Sequence, residues 1–329
     1  MKTGTMEEDM TSKECLLHWF HRLRHWSAMF AGTSYYHRPQ EMGRMFVARQ
    51  LNGYFNDLTG KTDWKGKIDH DGLPLSTLSN GKSIHFPILL CQKALGHWDM
   101  WLIHERADDR QQFLNIANWL EQTQDSMGGW DTWGPMGQSS QYRYSAMTQG
   151  QAISVMTRAY KVTKGAGFER ACRAALELLR KPVQDGGVCC YEAQNVFLEE
   201  FPASRRDTVL NGWIFALFGV HDYLLQFTDE QIKTFYADTC ASLTSHFPEY
   251  DAGFWSYYSS GSKRLASPFY HRLHLSQLKA LKQIIDQPCV HLVQERWKRY
   301  EKNKFCKSWA VLVKGFQKLR EPGEITIVE

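Results

Sequence analysis

The chain has 329 residues, of which 43% are hydrophobic and 22% are charged. These proportions are typical of a globular protein and argue against a disordered or fibrous chain. The formal net charge is only +4, but residues 263–320 hold 14 basic and three acidic side chains, a local excess of +11. Such an excess suits an acidic polysaccharide, a nucleic acid or a membrane surface as partner, and it suits solvated surface helices equally well.

The N-terminus and the cysteines bear on the cellular compartment. No apolar run approaches the roughly 20 residues of a membrane-spanning helix, and an acidic start without an apolar stretch argues against a secretory signal. The eight cysteines are scattered, and the adjacent Cys189 and Cys190 would need strained geometry to form a disulfide. We therefore expect reduced cysteines in a cytoplasmic protein without a membrane span.

Apolar residues recur at intervals of three and four along most of the chain, which indicates amphipathic helices. The segments with this spacing are 111–124, 147–160, 168–181, 210–227, 230–246, 274–285 and 290–302. Because no segment shows a long alternating pattern, a substantial sheet is not expected. The predicted fold class is mostly α.

Glycine-containing loops follow three of these helices. Gly129, Gly187 and Gly253 lie 58 and 66 residues apart, about the length of two helices with their connections, and each precedes an apolar side chain that we expect to be buried. This spacing indicates helical hairpins with their loops collected at one end, as in an α/α toroid. We predict one toroid domain over residues 61–329, preceded by an irregular lead-in over residues 1–60.

The common catalytic and metal-binding motifs are absent from the sequence. It contains no glycine motif for a dinucleotide or a phosphate, no G-x-S-x-G and no H-E-x-x-H. Residues 69–72 are similar to the start of a calcium loop, but the downstream glutamate is missing, so no metal is expected there. His271 and His274 lack a third ligand at matching spacing, which favours hydrogen-bonded histidines over metal ligands. Loop carboxylates and tyrosines remain as candidates, and the pattern alone singles out none of them.

Several separate stretches form a recognisable series. They are residues 72–77, 86–87, 118–120, 124–125, 128–130, 144–154, 158–160, 199–202, 209–212, 250–253 and 270–278. In this order they resemble the D-glucuronyl C5-epimerases, and the resemblance covers about residues 70–300. The animal members of that family carry a β-rich domain where this chain has only the 31 residues from Pro87 to Asn118. The chain therefore resembles a compact version of the helical domain, as expected of a bacterial relative.

The resemblance implies an isomerase that converts D-glucuronate to L-iduronate within an acidic, heparosan-like polysaccharide, with no cofactor and no metal. Residue by residue, Glu200 matches the catalytic glutamate of the family, Tyr270 its catalytic tyrosine and Tyr258 its second active-site tyrosine. We expect Tyr270 and His271 to precede the helix over 274–285. The implied partner is a glucuronate-containing polysaccharide and not a nucleic acid, and a homodimer is left open.

The implied chemistry accounts for these residue types. The C5 proton is very weakly acidic, so inversion needs a base on one face of the sugar ring and an acid on the other, with cations near the substrate carboxylate. We expect adjacent cations to lower the pKa of the tyrosine and burial to raise the pKa of Glu200; the sequence does not assign the two faces. The expected substrate-binding residues are His85, Tyr144, Gln149, Gln151, Arg205, Asn211, Lys263, Arg264, His271 and Arg272, with Arg206 as a further cation of the cavity.

The sequence departs from the family pattern at several positions. Phe201 stands where the animal enzymes have a tyrosine, and His85 lies in a stretch that lacks two of their tyrosines. His85 is therefore either a replacement contact to substrate or an ordinary surface histidine. Gly261 aligns with an arginine of the family. The substrate carboxylate would then be bound by Lys263, Arg264 or Arg272.

Two other functions compete with epimerisation. A uronate polysaccharide lyase begins with the same abstraction of the C5 proton and then expels the substituent at C4. A non-catalytic protein could bind acidic polysaccharide in the same groove. The order of the motifs favours the epimerase over both.

Overall fold

The computed structural model describes residues 35–320 and residue 327, with the backbone alone at 319 and 320. Within these residues the chain forms nine α-helices. They are α1 (Pro87–His104), α2 (Ala107–Thr123), α3 (Ala146–Thr163), α4 (Ala166–Arg180), α5 (Leu210–Gln226), α6 (Glu230–Ser245), α7 (Pro268–Ile284), α8 (Pro288–Lys302) and α9 (Lys304–Arg320). Two short antiparallel hairpins accompany them, β1 (Ser76–Thr77) with β2 (Ser83–Ile84) and β3 (Cys189–Glu192) with β4 (Asn195–Leu198). The prediction of a mostly α fold is confirmed.

Successive helices pair as hairpins: α1 with α2, α3 with α4, α5 with α6, and α7 with α8. The first helix of each hairpin also contacts the first helix of the next, in the order α1, α3, α5, α7. An inner row of helices is thus covered by an outer row. This arrangement is consistent with the predicted toroid, whose closure into a ring stays a prediction.

The burial of the helices separates the inner row from the outer one. Residues 86–99, 144–159 and 208–220 are buried without a break, whereas α4 buries one apolar stripe. The inner helices α3 and α5 approach each other closely at two glycines. A Cβ at Gly219 would lie 2.1 Å from the carbonyl oxygen of Gly150. Only glycine leaves room for this contact between the two backbones.

The helix bounds largely follow the predicted segments, and α4, α5, α6 and α8 agree within two residues at each end. The predicted start of α7 is wrong, because the helix begins six residues earlier, at Pro268. The Ser267 side chain accepts the N–H of Tyr270, and proline suits the first helical position. Tyr270 and His271 therefore lie in the first turn of α7 and do not precede it. Neither α1 nor α9 has a counterpart among the predicted segments.

The described part of the lead-in, residues 35–60, packs against the helices. Phe55 stacks on Phe218 of α5 with ring centroids 3.9 Å apart. Tyr54 is fully buried, and its N–H donates to Asp99 of α1 at 2.9 Å. These residues therefore share the core of the helices, and a division of the chain at residue 60 stays a prediction. The rest of the lead-in, residues 1–34, lies outside the described residues.

The three glycine-containing loops contact one another at the starts of the inner helices α3, α5 and α7. The Trp133 indole N–H donates to the Glu200 carbonyl at 2.7 Å, which joins the first loop to the second. The Ser260 N–H donates to the Thr208 carbonyl at 3.1 Å, which joins the second to the third. Trp130, Val188 and Trp255 after the glycines are buried as predicted, whereas Phe254, directly after Gly253, is only partly buried. The glycines with positive φ are Gly128, Gly186 and Gly253, so in two loops the turn residue is one position earlier than predicted.

Two findings bear on the cellular compartment. Among the described residues, every helix is too short or too polar to cross a membrane. Seven cysteines fall within the described residues and all are free thiols, as predicted; Cys15 lies outside them. The cytoplasmic location stays a prediction.

Candidate active site

Glu200 lies in the loop between β4 and α5, and neighbouring elements fix its backbone. Its carbonyl accepts the hydrogen bond from Trp133, and the carbonyl of Glu199 accepts the N–H of Ala146 at 2.9 Å, at the start of α3. The ring of Phe201 stacks on Trp133 with centroids 4.3 Å apart. Glu200 is therefore held between the first turns of two inner helices.

A glycine of α5 leaves space for the Glu200 side chain. A Cβ at Gly212 would lie 2.3 Å from Oε2 of Glu200 and 2.7 Å from its Cβ. The neighbouring Asn211 donates from Nδ2 to the same Oε2 at 3.3 Å. The carboxyl group is consequently buried against the helix with an amide donor beside it.

Tyr258 and Tyr270 come from two different elements and meet beside Glu200. The Tyr258 N–H donates to the Arg264 carbonyl at 2.6 Å, and the Tyr258 carbonyl accepts the N–H of Leu210 at 3.0 Å. Tyr270 is carried by the first turn of α7. The two tyrosine rings have centroids 4.7 Å apart, and both residues are partly exposed.

The three predicted catalytic residues form one continuous cluster. The side chain of Tyr258 interacts electrostatically with the carboxyl group of Glu200 and with the side chain of Tyr270. The guanidinium of Arg264 lies 5.6 Å from the centroid of the Tyr258 ring. We call Glu200, Tyr258 and Tyr270 the acid–tyrosine cluster, with Arg264 as its adjacent cation.

Burial decides the protonation of the acid–tyrosine cluster. Burial raises the pKa of Glu200 from 4.5 to about 8, although the charge of Arg264, the hydrogen bond from Asn211 and the adjacent Tyr258 act in the opposite direction. Burial and the charge of Glu200 raise the pKa values of Tyr258 and Tyr270 above their usual value near 10. The expected rise for Glu200 is confirmed. The expected lowering for the tyrosine is wrong, because one cation does not offset burial together with a neighbouring carboxylate.

The other predicted cations are engaged elsewhere or lie on the surface. The Lys263 ammonium donates to the Glu249 carbonyl at 2.7 Å, and Arg272 faces Glu301 at 3.8 Å. Arg205 is exposed. The further cation Arg206 pairs with Glu192 at 3.0 Å. Arg264 is thus the predicted cation that the structure places beside the acid–tyrosine cluster, and its nearest acid is Asp207 at 3.9 Å.

Three residues predicted to bind substrate occupy the interior near α3. Tyr144 donates to Asp125 at 2.5 Å, which fixes the first glycine-containing loop. Gln149 is fully buried and donates to the Gly128 carbonyl at 2.9 Å. Gln151 is also fully buried. This placement assigns Tyr144 and Gln149 to holding the loop, and contact between these residues and substrate stays a prediction without geometric support.

His271 and His274 are hydrogen-bonded in the core. The hydroxyl of Ser256 lies 2.8 Å from Nδ1 of His271 and 2.9 Å from Nδ1 of His274. His271 also stacks on Trp255 with centroids 3.7 Å apart. The interpretation as hydrogen-bonded histidines is confirmed, and a fully buried His271 supports the first turn of α7 from behind Tyr270 and does not face solvent.

His85 lies in the hairpin before α1 and has a partner within the chain. Its Nε2 is 2.8 Å from Oδ2 of Asp69, and its ring packs against Trp119 with centroids 5.2 Å apart. The other carboxylate oxygen of Asp69 accepts the N–H groups of Asp71 and Leu73. These bonds favour the interpretation of His85 as an ordinary surface histidine. Both carboxylate oxygens of Asp69 are hydrogen-bonded, one to His85 and the other to the backbone of its own turn.

The sequence did not point to three residues that shape the site. Trp133 holds the carbonyl of Glu200, and Gly212 leaves room for the Glu200 side chain. On α9, the Gln317 side chain accepts the Leu265 N–H at 2.9 Å and donates to the Lys263 carbonyl at 3.4 Å, so it holds the backbone on both sides of Arg264. Of these three residues, only Gly212 could have been found from the sequence, because it belongs to a motif that resembles the epimerase family.

Comparisons with known proteins agree with this geometry. The family described as D-glucuronyl C5-epimerase C-terminus matches residues 124–299. The D-glucuronyl C5-epimerase of Caenorhabditis elegans is 28% identical over 232 residues, which cover 63% of this chain and 37% of that protein. An uncharacterized protein of Methanocaldococcus jannaschii is 26% identical over 137 residues, covering 40% and 44%. The chain therefore matches about two fifths of the length of these relatives, and the acid–tyrosine cluster lies inside the family match.

Proposed function

The chain belongs to the family of the D-glucuronyl C5-epimerase C-terminus, and from this premise we propose that it is an isomerase that inverts C5 of glucuronate residues in an acidic, heparosan-like polysaccharide. The observation that carries the proposal is the acid–tyrosine cluster with Arg264 beside it. It combines proton donors and acceptors in contact with one another and a cation within reach of the same groups.

The pKa of Glu200 suits a group that both takes and returns a proton. Because this pKa is about 8, the carboxyl and carboxylate forms are both populated at neutral to mildly alkaline pH, where general acid–base catalysis is most effective. In its carboxylate form Glu200 removes the C5 proton, and in its acid form it returns one in the reverse direction. The tyrosines, with raised pKa values, act as proton donors.

The cluster geometry constrains how the sugar enters. Tyr258 interacts with both Glu200 and Tyr270, so the three side chains form one cluster. If Glu200 and Tyr270 serve opposite faces of the ring, C5 must enter between them, and the hydroxyl of Tyr258 then lies at the edge of the ring. Tyr258 is thereby placed to pass a proton between the two sides. This assignment of faces is part of the proposal.

Arg264 provides the positive charge that the reaction needs. Removal of the C5 proton puts a second negative charge on the substrate, delocalised into its carboxylate. A cation fixed beside the reacting atom stabilises this charge more strongly in a water-poor site than in bulk water. Its ion pair with Asp207 is long, at 3.9 Å, so the guanidinium can also bind a substrate carboxylate.

The experiment that tests the proposal is incubation of heparosan with the full chain in heavy water. Epimerisation predicts deuterium at C5 together with conversion of glucuronate to iduronate. A lyase would instead produce a conjugated double bond that absorbs in the ultraviolet, and a binding protein would incorporate no deuterium. The matched control is Tyr257→Phe. Tyr257 is next to Tyr258 in the sequence but does not belong to the acid–tyrosine cluster. Absence of C5 exchange by the wild type on several glucuronate polymers would refute the proposal.

A further inference from the structure

An open cleft lies at the C-terminal end of helix α4, outside the acid–tyrosine cluster. Its volume is about 400 Å³, which is within the range of sites that hold small ligands. The first glycine-containing loop and strand β3 contribute to its walls. Its lining includes Met127, Glu177, Leu178, Arg180, Lys181 and Tyr191. We call this cavity the α4 cleft.

Hydrogen bonds hold the backbone of the α4 cleft in place. The Lys181 carbonyl accepts the N–H of Cys189 in β3 at 3.0 Å, and the Lys181 N–H donates to the Leu178 carbonyl at 3.2 Å. The Tyr191 hydroxyl donates to the Arg180 carbonyl at 2.8 Å, which ties β3 to the end of α4. The cleft is therefore already formed in the folded chain, and a ligand that binds there pays little for ordering its walls.

The α4 cleft carries an excess of positive charge. Arg180 lies 3.4 Å from Glu177, whose side chain is 73% exposed, so this ion pair is open to water and weak. The Lys181 ammonium contacts Sδ of Met127 at 4.0 Å, and a thioether is only a weak acceptor. Two cations against one exposed carboxylate leave the lining net positive. The charge of Lys181 is therefore available to an anionic ligand.

Tyr191 gives the α4 cleft an aromatic wall beside these cations. The residue is 49% exposed, although its hydroxyl is fixed by the Arg180 carbonyl. A ring held in this way can pack against the C–H groups of a sugar with little loss of conformational freedom. A cation next to an aromatic wall suits a sugar that carries a carboxylate. An inorganic anion has no apolar surface to place against the ring.

The hairpin of β3 and β4 connects the α4 cleft to the acid–tyrosine cluster. Tyr191 pairs with Val196, and Glu200 follows four residues later. Four residues span at most about 14 Å and paired strands lie about 5 Å apart, so the backbones of Tyr191 and Glu200 are within about 19 Å of each other. A few linked sugars cover this distance, and one polysaccharide chain can therefore reach both places.

We propose that the α4 cleft is a secondary binding site for the polysaccharide. It holds a second uronate residue of the chain whose reacting residue lies at Glu200, and in this respect the inference rests on the proposed function. Lys181 binds the carboxylate of the second uronate, and Tyr191 packs against its ring. The contact holds the polymer and takes no part in proton transfer.

The test is equilibrium binding of end-labelled heparosan to the full chain, measured by fluorescence anisotropy. Lys181→Gln should weaken binding about fivefold, as expected for one partly exposed charge pair. Glu177→Gln should tighten binding about twofold to fivefold, because it frees Arg180 from its carboxylate partner. Arg170→Gln is the matched control, because Arg170 is exposed on the same helix but does not line the cleft; it should bind like the wild type.

A second probe assigns the effect to the carboxylates of the polymer. On heparosan whose carboxyl groups have been reduced to alcohols, the wild type, Lys181→Gln and Glu177→Gln should bind alike. Circular dichroism verifies the fold of each variant. Glu177→Gln changes an exposed side chain and keeps the proposal testable should Lys181→Gln fail to fold.

Several results would overturn the assignment of the α4 cleft. They are a wild type that does not bind heparosan, a folded Lys181→Gln or Glu177→Gln variant with wild-type affinity, an equal loss of affinity in Arg170→Gln, and differences that persist on the reduced polymer. Binding is measured without turnover. The expected binding pattern without deuterium exchange at C5 would refute the proposed activity and leave the cleft, whereas exchange with equal affinities in all variants would refute the cleft alone.

Discussion

Replacing Glu200 with glutamine should strongly slow epimerisation and at the same time stabilise the protein. The two side chains have nearly the same shape, but an amide neither takes nor returns a proton. Loss of a positioned acid–base group predicts a decrease in rate of about 10²–10⁴-fold. Stabilisation follows because the buried carboxyl group resists ionisation, and the amide has no charge to bury.

The size and pH dependence of this stabilisation follow from the pKa of Glu200. It is about 8 in the folded chain, against an ordinary 4.5, so between these values the unfolded state has lost a proton that the folded state keeps. Wild-type stability therefore decreases as the pH rises through this window, by ~1.4 kcal/mol per pH unit. At pH 7 the variant should be more stable than the wild type by about 3 kcal/mol. The difference should level off above pH 8.

Glu199→Gln is the matched control, because the neighbouring Glu199 is equally buried and its pKa is raised to about 7 by burial. Its carboxyl group accepts from Thr208 and lies outside the acid–tyrosine cluster. Glu199→Gln should therefore stabilise the chain in the same way, levelling off near pH 7, while activity persists. Urea unfolding from pH 5 to 9 and C5 exchange measure the two effects. The reasoning is refuted if Glu200→Gln shows the same pH dependence of stability as the wild type, or if both variants lose activity equally.

Three further predictions concern the same site. The value of kcat/KM should rise with pH and level off above about 8, because the carboxylate of Glu200 is the base; a flat profile would exclude this role. In steady-state assays, Arg264→Gln should lower kcat by about 10²–10³-fold. Lys263→Gln should remain near wild type, because the Lys263 ammonium donates to a carbonyl on the surface. The reverse order would move the carboxylate site to Lys263. Gly212→Ala should displace Glu200, which lowers stability by about 1–3 kcal/mol and the rate by about 100-fold. In thermal unfolding, Gly315→Ala should be neutral or stabilising by up to ~1 kcal/mol, because the added Cβ meets no atom within 4 Å.

Periodicity is clearest in helices that bury one apolar face. Helix α4 buries a single stripe, so its periodicity gave the bounds almost correctly. Helix α1 escaped prediction because it is surrounded by other elements and buries polar residues such as Gln92 and Asp99, which interrupt any apolar stripe. Helix α9 escaped for the opposite reason, since it has apolar residues on its exposed face, such as Phe305, as well as on its packed face, such as Ala310.

The candidate site could be predicted in its members but not in its electrostatics. Motif matching gave Glu200, Tyr258 and Tyr270, which the structure joins although 58 residues separate the first from the second. The choice of Arg264 over Lys263 required the fold, because the Lys263 ammonium donates to the Glu249 carbonyl whereas the Arg264 guanidinium lies beside the Tyr258 ring. The raised pKa values of the tyrosines depend on burial and on contact with Glu200, and neither is visible in a linear motif.

The hydrogen bonds of Gln317 have a consequence for how the catalytic unit is delimited. The family match ends at residue 299, yet Gln317 satisfies a backbone N–H and a backbone carbonyl on either side of Arg264. A fragment cut at the family boundary would keep every proposed proton-transferring residue and leave those two backbone groups without their partner. The backbone on both sides of Arg264 would then lose this support. We therefore expect a working site to require residues up to at least Gln317, beyond the end of the family match.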